Sequence, residues 1–143
     1  MDDQQRFQHP IYSQEQLERY YDRISLSKTY RNAISKGNVA KTQDALSILT
    51  VLQKFQLAAI PFENLELNYS SHHIISIDPA DVLEKIVERG AGRGGWCMEL
   101  NCLFGTVLRS IGFDVYPTAG RVSTAVQPVA GTKSYPGPEF DPW

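Results

Sequence analysis

The sequence has 143 residues, of which 42% are hydrophobic and 21% charged, a balance typical of one folded domain or of part of a larger one. Its formal net charge is −2 and its pI about 5.9, which excludes the basic excess that binds a nucleic-acid backbone. The polar start of the chain and the lack of any run near the ~20 apolar residues of a membrane span predict a cytoplasmic protein without a membrane partner.

The N-terminal part of the chain is predicted to be helical. Residues 1–12 are predicted to form a loose arm, and Ser13 and Gln16 have the spacing of a capping box that opens a helix. The apolar side chains that follow recur at helical spacing: Leu17, Tyr20, Tyr21 and Ile24. This helix is therefore expected to bury one face, and a polar stretch then runs to Gly37.

A second helix is predicted between Thr42, a suitable N-cap, and Pro61, which stops it. Its apolar residues again recur at helical spacing: Leu46, Leu49, Leu52 and Phe55. Because each of the two helices has an apolar face, we expect them to pack together. Residues 65–67, which alternate in polarity, and the β-branched residues 74–77 are each predicted to be at most a brief strand or an extended connection.

The next helix is predicted to begin at Asp78, a cap followed by proline, and to end at Gly90, with Leu83, Ile86 and Val87 as its apolar residues. The glycine-rich loop 90–95 separates it from another helix, closed by Gly112. That helix has an i, i+3, i+4, i+7 stripe: Leu100, Leu103, Phe104, Val107, Leu108 and Ile111. Cys97 is therefore expected in the first turn of this helix.

Beyond Gly112 the pattern changes from helical to extended. Phe113 and Val115, and then Arg121 and Val122, predict strands. The rest of the chain contains four prolines among glycines and serines and is predicted to be loop. The sequence thus predicts helices followed by strands.

The two cysteines, Cys97 and Cys102, are five residues apart in one predicted helix, which separates their Cα atoms by about 8 to 9 Å. That exceeds the ~7 Å limit for a disulfide, so we expect both thiols to be free. No CxxC pair exists, and the three histidines have no metal-ligand spacing with the cysteines. No metal site is predicted.

The start of a helix favours the thiolate form of a cysteine, because unpaired N–H groups and the helix dipole stabilise negative charge there. Gly94 and Gly95 lack a Cβ, so the loop before Cys97 is predicted to turn sharply and to let a substrate carbonyl approach the sulfur. A free cysteine is more often a small apolar packing residue. These features alone leave both roles open for Cys97 and favour packing for Cys102, deeper in the helix.

Residues 93–101 read Arg-Gly-Gly-Trp-Cys-Met-Glu-Leu-Asn, which resembles the active-site signature of the arylamine N-acetyltransferases. Residues 60–65, Ile-Pro-Phe-Glu-Asn-Leu, resemble a second signature of that family. Residues 20–24 and 108–115 are similar to further family segments in the same order. By this resemblance the sequence is identified as a member of the family.

The resemblance implies a helical first domain, a β-barrel-like second domain and an α/β third domain. For this chain it implies an α+β fold in three parts: a flexible arm (1–12), a helical domain with the nucleophile loop (13–112), and the first strands of an incomplete β-barrel-like domain (113–143). A nucleophile at a helix N-terminus is also the arrangement that cysteine proteases use.

The resemblance also implies a reaction. The thiolate of Cys97 attacks acetyl-CoA, an acetyl-cysteine forms, and a small arylamine or hydrazine takes the acetyl group. Acetyl-CoA is then a co-substrate, and no permanently bound cofactor is implied. Arg93 and Glu99 are expected to hold the loop and the helix by charged hydrogen bonds, with a solvated ion pair as the alternative, and Glu63 and Asn64 to be structural supports near the site.

Members of the family activate the cysteine with a histidine that an aspartate orients, and both follow the cysteine signature. No histidine follows His73 in this sequence, so neither partner can be carried over. The 143-residue chain is therefore expected to be a truncated form without useful acetyltransferase activity. His72 and His73 are typical of an exposed polar turn, so we do not expect them to supply a substitute base.

The residues also allow two other interpretations. Gly90, Gly92 and Gly95 fit the G-x-G-x-x-G pattern of a dinucleotide site, with Asp114 about twenty residues further on. However, residues 82–89 have helical spacing and four charges where that site needs a buried strand. The stronger alternative is a catalytically inactive relative of the same fold that acts as a binding or interaction module.

Overall fold

A computed structural model describes residues 9–89, 92–118 and 120. These residues form six α-helices: α1 (Gln14–Arg23), α2 (Lys28–Ile34), α3 (Ala45–Ala59), α4 (Leu65–Tyr69), α5 (Pro79–Leu83) and α6 (Cys97–Ser110). A 3-10 turn, Val39–Lys41, precedes α3, and α5 continues as a π-helical turn, Glu84–Glu88. Within the described residues there is no strand, and the one β contact is a parallel bridge between Phe62 and Gly95.

Two helices begin at their predicted caps. In α1, the backbone N–H of Gln16 donates to Ser13 Oγ (3.3 Å) and the N–H of Ser13 donates to Gln16 Oε1 (2.9 Å), which is the predicted capping box. In α5, Asp78 Oδ1 accepts hydrogen bonds from the N–H groups of Ala80 and Asp81. These two predictions are confirmed.

The prediction for α3 is wrong in its start and in part of its buried face. The helix begins at Ala45, whereas Thr42 follows the 3-10 turn and its hydroxyl donates to Val39 O (2.8 Å). The buried residues of α3 are Ile48, Leu52 and Gln56, and Leu46 is 75% exposed. Apolar residues lie around most of this helix, so spacing alone allows more than one buried face.

Two further segments differ from prediction. Residues 65–67, predicted as a brief strand or extended connection, lie in α4, because alternation over three residues does not distinguish a strand from one helical turn. Glu63 Oε2 accepts a hydrogen bond from Leu65 N (2.5 Å) at the start of α4. Helix α2 lies in the polar stretch, where no helix is predicted because the segment has little apolar periodicity. Ile34 is the one buried residue of this helix.

The strand predicted at Phe113 and Val115 does not form within the described residues. A strand needs a paired neighbour; here Phe113 N donates to Leu108 O (3.0 Å), and both side chains pack, partly buried, against the helical core. The strand predicted at 121–122 and most of the predicted β domain lie outside the described residues. The described fold is therefore helical, and the predicted β-barrel-like part is not among its elements.

The core is formed mainly by α1, the α5–π segment and α6. Its largest fully buried apolar side chains are Tyr20, Tyr21, Ile24, Leu52, Leu83, Ile86 and Leu103. The prediction of a loose arm is wrong at Tyr12, which packs into the hydrophobic core. Its N–H donates to Ser110 Oγ (2.7 Å) and its hydroxyl to Pro79 O (2.8 Å), so both polar groups have partners. None of the described helices combines the length and apolarity needed to cross a bilayer.

Gly112 closes α6 with φ +101°, and an added Cβ would lie 2.5 Å from Asn38 Oδ1. We expect Gly112→Ala to lower the free energy of unfolding by about 1 kcal/mol or more, because L side chains rarely adopt this backbone. Gly105→Ala is the matched control inside α6, where an added Cβ meets only Arg109 Nη1 at 3.5 Å. It should raise stability by about 0.5–1 kcal/mol. Urea denaturation measures the free energy of unfolding of both variants. An equal change in the two would contradict the described end of α6 at Gly112.

Candidate active site

Cys97 is the first residue of α6 and is exposed. Trp96 precedes it as the N-cap, with extended backbone (ψ 171°), and Leu100 N donates to Trp96 O (2.9 Å) to begin the helical hydrogen bonding. The position predicted for Cys97, in the first turn of a helix, is confirmed. The thiol therefore lies at the helix end where backbone N–H groups have no helical acceptor.

The glycine loop before Cys97 is held against residues 61–63 by backbone hydrogen bonds. Gly95 N donates to Pro61 O (3.3 Å), and Glu63 N donates to Gly95 O (3.0 Å). Gly94 is buried at this contact, and a Cβ added to it would lie 1.7 Å from Pro61 O. Gly94 is thus required by the close approach of two backbone segments.

Arg93 contacts two carboxylates beside the loop. Its Nε lies 3.0 Å from Glu63 Oε1, and its Nη2 lies 3.2 Å from Glu66 Oε2. Glu63 Oε1 also accepts a hydrogen bond from Gly94 N (3.3 Å). Burial raises the pKa of Glu63, but the N–H of Leu65 and the Arg93 guanidinium outweigh it, so this pKa is lowered overall. The ionised carboxylate of Glu63 therefore links the loop to the segment that leads into α4.

Glu99 is buried under the first turn of α6 and pairs with Lys85, not with Arg93. Its Oε1 lies 2.7 Å from Lys85 Nζ, and its Oε2 accepts a hydrogen bond from Trp96 N (2.9 Å). The two side chains are 2% and 9% exposed, respectively. Gly95 leaves room for this arrangement, since an added Cβ would lie 3.0 Å from Glu99 Oε2. Removing one partner of such a pair typically costs about 3–5 kcal/mol, because the other charge stays buried.

Arg23, the last residue of α1, holds three backbone segments of the site together. Its guanidinium donates to Ile86 O from Nε (3.1 Å), to Ala59 O from Nη1 (2.9 Å) and to Arg93 O from Nη2 (3.1 Å). It was not among the predicted site residues. The resemblance of residues 20–24 to a family segment was the one sequence feature that could have indicated it.

The predicted site residues do not all come together. Arg93, Gly94, Gly95 and Glu63 share one set of hydrogen bonds, and Glu99 reaches it through Trp96 N. Asn64 is different: it is exposed, it precedes α4, and its side chain makes no capping hydrogen bond.

The two adjacent histidines also lie apart from the thiol in their hydrogen bonding. His72 contacts Ser70 Oγ (3.3 Å) and Glu66 Oε1 (3.3 Å), and His73 Nδ1 contacts Leu67 O (2.7 Å). Among the hydrogen bonds of the described residues, none joins either histidine to Cys97. The geometry therefore gives no support to a substitute base at these positions.

Comparison with known proteins gives a consistent set of matches. A family model described as N-acetyltransferase matches residues 45–134. The N-malonyltransferase FDB2 of Fusarium pseudograminearum (strain CS3096) is 39% identical over 137 residues, which cover 94% of this chain and 39% of that protein. Arylamine N-acetyltransferase 1 of Mus musculus is 31% identical over 106 residues (74% of this chain, 31% of that protein). The liver isozyme of arylamine N-acetyltransferase from Gallus gallus is 32% identical over 104 residues (73% and 31%). The chain thus spans about two-fifths or less of the length of these relatives.

We expect iodoacetamide to alkylate Cys97 faster than Cys102 near neutral pH. Cys97 is exposed, whereas Cys102 is half-buried, its Sγ donates to Ile77 O (3.1 Å), and burial raises the pKa of its thiol. Peptide mapping after partial alkylation gives both rates, and the Cys97→Ala and Cys102→Ala variants identify each labelled peptide. Equal rates, or faster labelling of Cys102, would contradict the described environments of the two thiols.

Proposed function

The chain belongs to the arylamine N-acetyltransferase family, and we propose that it takes part in acyl transfer from an acyl-CoA thioester to a small aromatic amine or hydrazine, with Cys97 as the nucleophile. The observation that carries this proposal is the exposed thiol at the first residue of α6, directly after a loop that backbone hydrogen bonds hold against residues 61–63. Free cysteines in general are buried packing residues, which this one is not.

In the proposed reaction, the thiolate of Cys97 attacks the carbonyl carbon of the thioester. The bond from that carbon to the CoA sulfur breaks, CoA leaves as a thiol after taking up a proton, and an acyl-cysteine remains. The amine then attacks the acyl carbon, an amide forms, and the cysteine is released. A base must remove the thiol proton. We assign that role to neither His72 nor His73, whose hydrogen bonds go elsewhere.

The hydrogen bonds of the loop indicate which backbone groups could stabilise the oxyanion of this reaction. The N–H groups of Gly94, Gly95 and Trp96 already donate to Glu63, Pro61 and Glu99, respectively. The N–H groups of Cys97 and Met98 are the first two of α6, which have no acceptor inside a helix. We propose that these two donate to the oxyanion, a contribution typically worth a factor of about 10² to 10³ in rate per donor.

For the acyl donor, the relatives favour malonyl-CoA over acetyl-CoA. N-malonyltransferases match 92% to 94% of this chain, whereas the two arylamine N-acetyltransferases described above match 73% to 74%. Both donors carry the same CoA thioester, so the proposed role of Cys97 is the same for either. The acceptor is proposed to be an arylamine or hydrazine.

We expect prolonged incubation with malonyl-CoA, and more slowly with acetyl-CoA, to place one acyl group on Cys97 without useful turnover to an arylamine, because no described residue is assigned as the base. Intact mass and peptide mapping detect the acyl-enzyme. Cys102→Ala should still be acylated and Cys97→Ala should not. Acylation of Cys102 alone, or of neither thiol, would contradict the proposal. If acyl-CoA binds by calorimetry without acylating Cys97, the catalytically inactive binding module is favoured instead.

A further inference from the structure

We infer that Lys85 is a positioning residue for Cys97: through the carboxylate of Glu99 it fixes the peptide group that immediately precedes the cysteine. This inference rests on the proposed function in one respect, namely that Cys97 is the nucleophile. Lys85 touches no reacting atom in this account. It acts by keeping a hydrogen-bond acceptor in place.

The carboxylate of Glu99 makes two different contacts, one with each oxygen. Oε1 lies 2.7 Å from Lys85 Nζ, and Oε2 accepts the N–H of Trp96 at 2.9 Å. One rigid planar group thus joins an ammonium in the π turn to the backbone N–H at the helix cap. Since Trp96 is the N-cap residue, this hydrogen bond determines how the chain enters α6 at Cys97.

Lys85 reaches Glu99 from an unusual place in the chain. It follows the buried Leu83 and precedes the buried Ile86 and Val87, and its own side chain is 9% exposed. Burying a lysine is costly unless its charge is compensated. The segment is also a π turn there, Glu84–Glu88, and π turns occur frequently at functional sites. The chain therefore departs from regular helix at the point where this lysine enters the core.

The surroundings indicate what would happen without Lys85. A half-open cleft of about 340 Å³ borders both members of the pair, and its other charged or titratable lining residues are Glu66, His72, Asp81, Glu84 and Arg89. Three of these are acidic, and Glu66 and Glu84 are already paired with Arg93 and Arg89. Without Lys85 the carboxylates that line the cleft would outnumber its cations, so an uncompensated Glu99 would face added negative potential. The cleft gives its carboxylate a path towards water. We expect the carboxylate to turn into the cleft and release Trp96 N.

An ion pair that served only to stabilise the fold would be replaceable by apolar side chains. Buried ion pairs can often be replaced by apolar residues of similar size without loss of stability. An apolar pair at positions 85 and 99 could thus preserve the fold, but it could not accept the N–H of Trp96. The positioning role therefore depends on the acceptor oxygen at position 99, and this distinction decides the test.

The test compares the alkylation rates of Cys97 and Cys102 by iodoacetamide in three variants. Lys85→Met should slow labelling of Cys97 by about tenfold, because loss of the helix cap and the uncompensated charge of Glu99 each lower the rate by a factor of a few. Lys85→Met/Glu99→Gln should restore the rate to within about twofold, since the amide oxygen can accept Trp96 N without leaving a charge. Lys85→Met/Glu99→Leu should stay slow.

Two controls separate positioning from general loosening. Cys102 lies in the same helix, so a loosened core would speed its labelling, whereas a lost cap should not. Arg31→Met removes ion pairs to Glu18 and Asp22 on α1 and should leave the ratio of the two rates unchanged. If Lys85→Met does not fold, the comparison of Gln with Leu at position 99 still decides the matter.

Labelling of Lys85→Met at the wild-type ratio would overturn the inference, as would equal rescue by Gln and Leu. Alkylation requires no acyl-CoA. Lys85 can therefore prove irrelevant while Cys97 is still acylated, and Cys97 can fail to be acylated while its reactivity still depends on Lys85.

Discussion

The close approach of the glycine loop to the backbone of Pro61 is the constraint on which the rest of the site depends. At Gly94 the two backbone segments are so near that any Cβ would overlap the Pro61 carbonyl. The approach allows the two backbone hydrogen bonds of Gly95 and Glu63, and it brings two signatures that are some thirty residues apart into one local structure. That contact and the hydrogen bond from Trp96 N to Glu99 together set the direction of the chain into α6, and hence the place of Cys97.

Charged side chains then fix this backbone arrangement on two sides. Arg93 and Glu63 hold the loop against the segment before α4. Lys85 pairs with Glu99, and Glu99 binds the N–H of Trp96, the N-cap of α6. Every charge of these two pairs is matched, which matters because an unpaired buried charge would cost several kcal/mol. The thiol itself stays exposed. An accessible nucleophile on a loop and helix start that hydrogen bonds hold rigidly is the arrangement that an acyl-transfer site requires.

Much of this arrangement could be predicted from the sequence because its causes are local. Ser13 and Asp78 cap their helices as expected, and the glycine loop followed by an apolar stripe placed Cys97 at a helix start. Lys85 could not be found in this way, because a charged residue in a helix is normally solvated and a π turn has no sequence pattern. The contact of Gly94 with Pro61 is likewise nonlocal, and the buried face of α3 depends on tertiary packing.

Amide hydrogen exchange at Gly95 and Glu63 tests the docked loop most directly, because each amide donates across the contact. Both should be protected in the wild-type protein, and Gly94→Ala should remove the protection of both. Gly105→Ala is the matched control, since an added Cβ there meets only Arg109 Nη1 at 3.5 Å, so protection of both amides should persist. Free exchange of these two amides in the wild type, or unchanged protection in Gly94→Ala, would contradict the account.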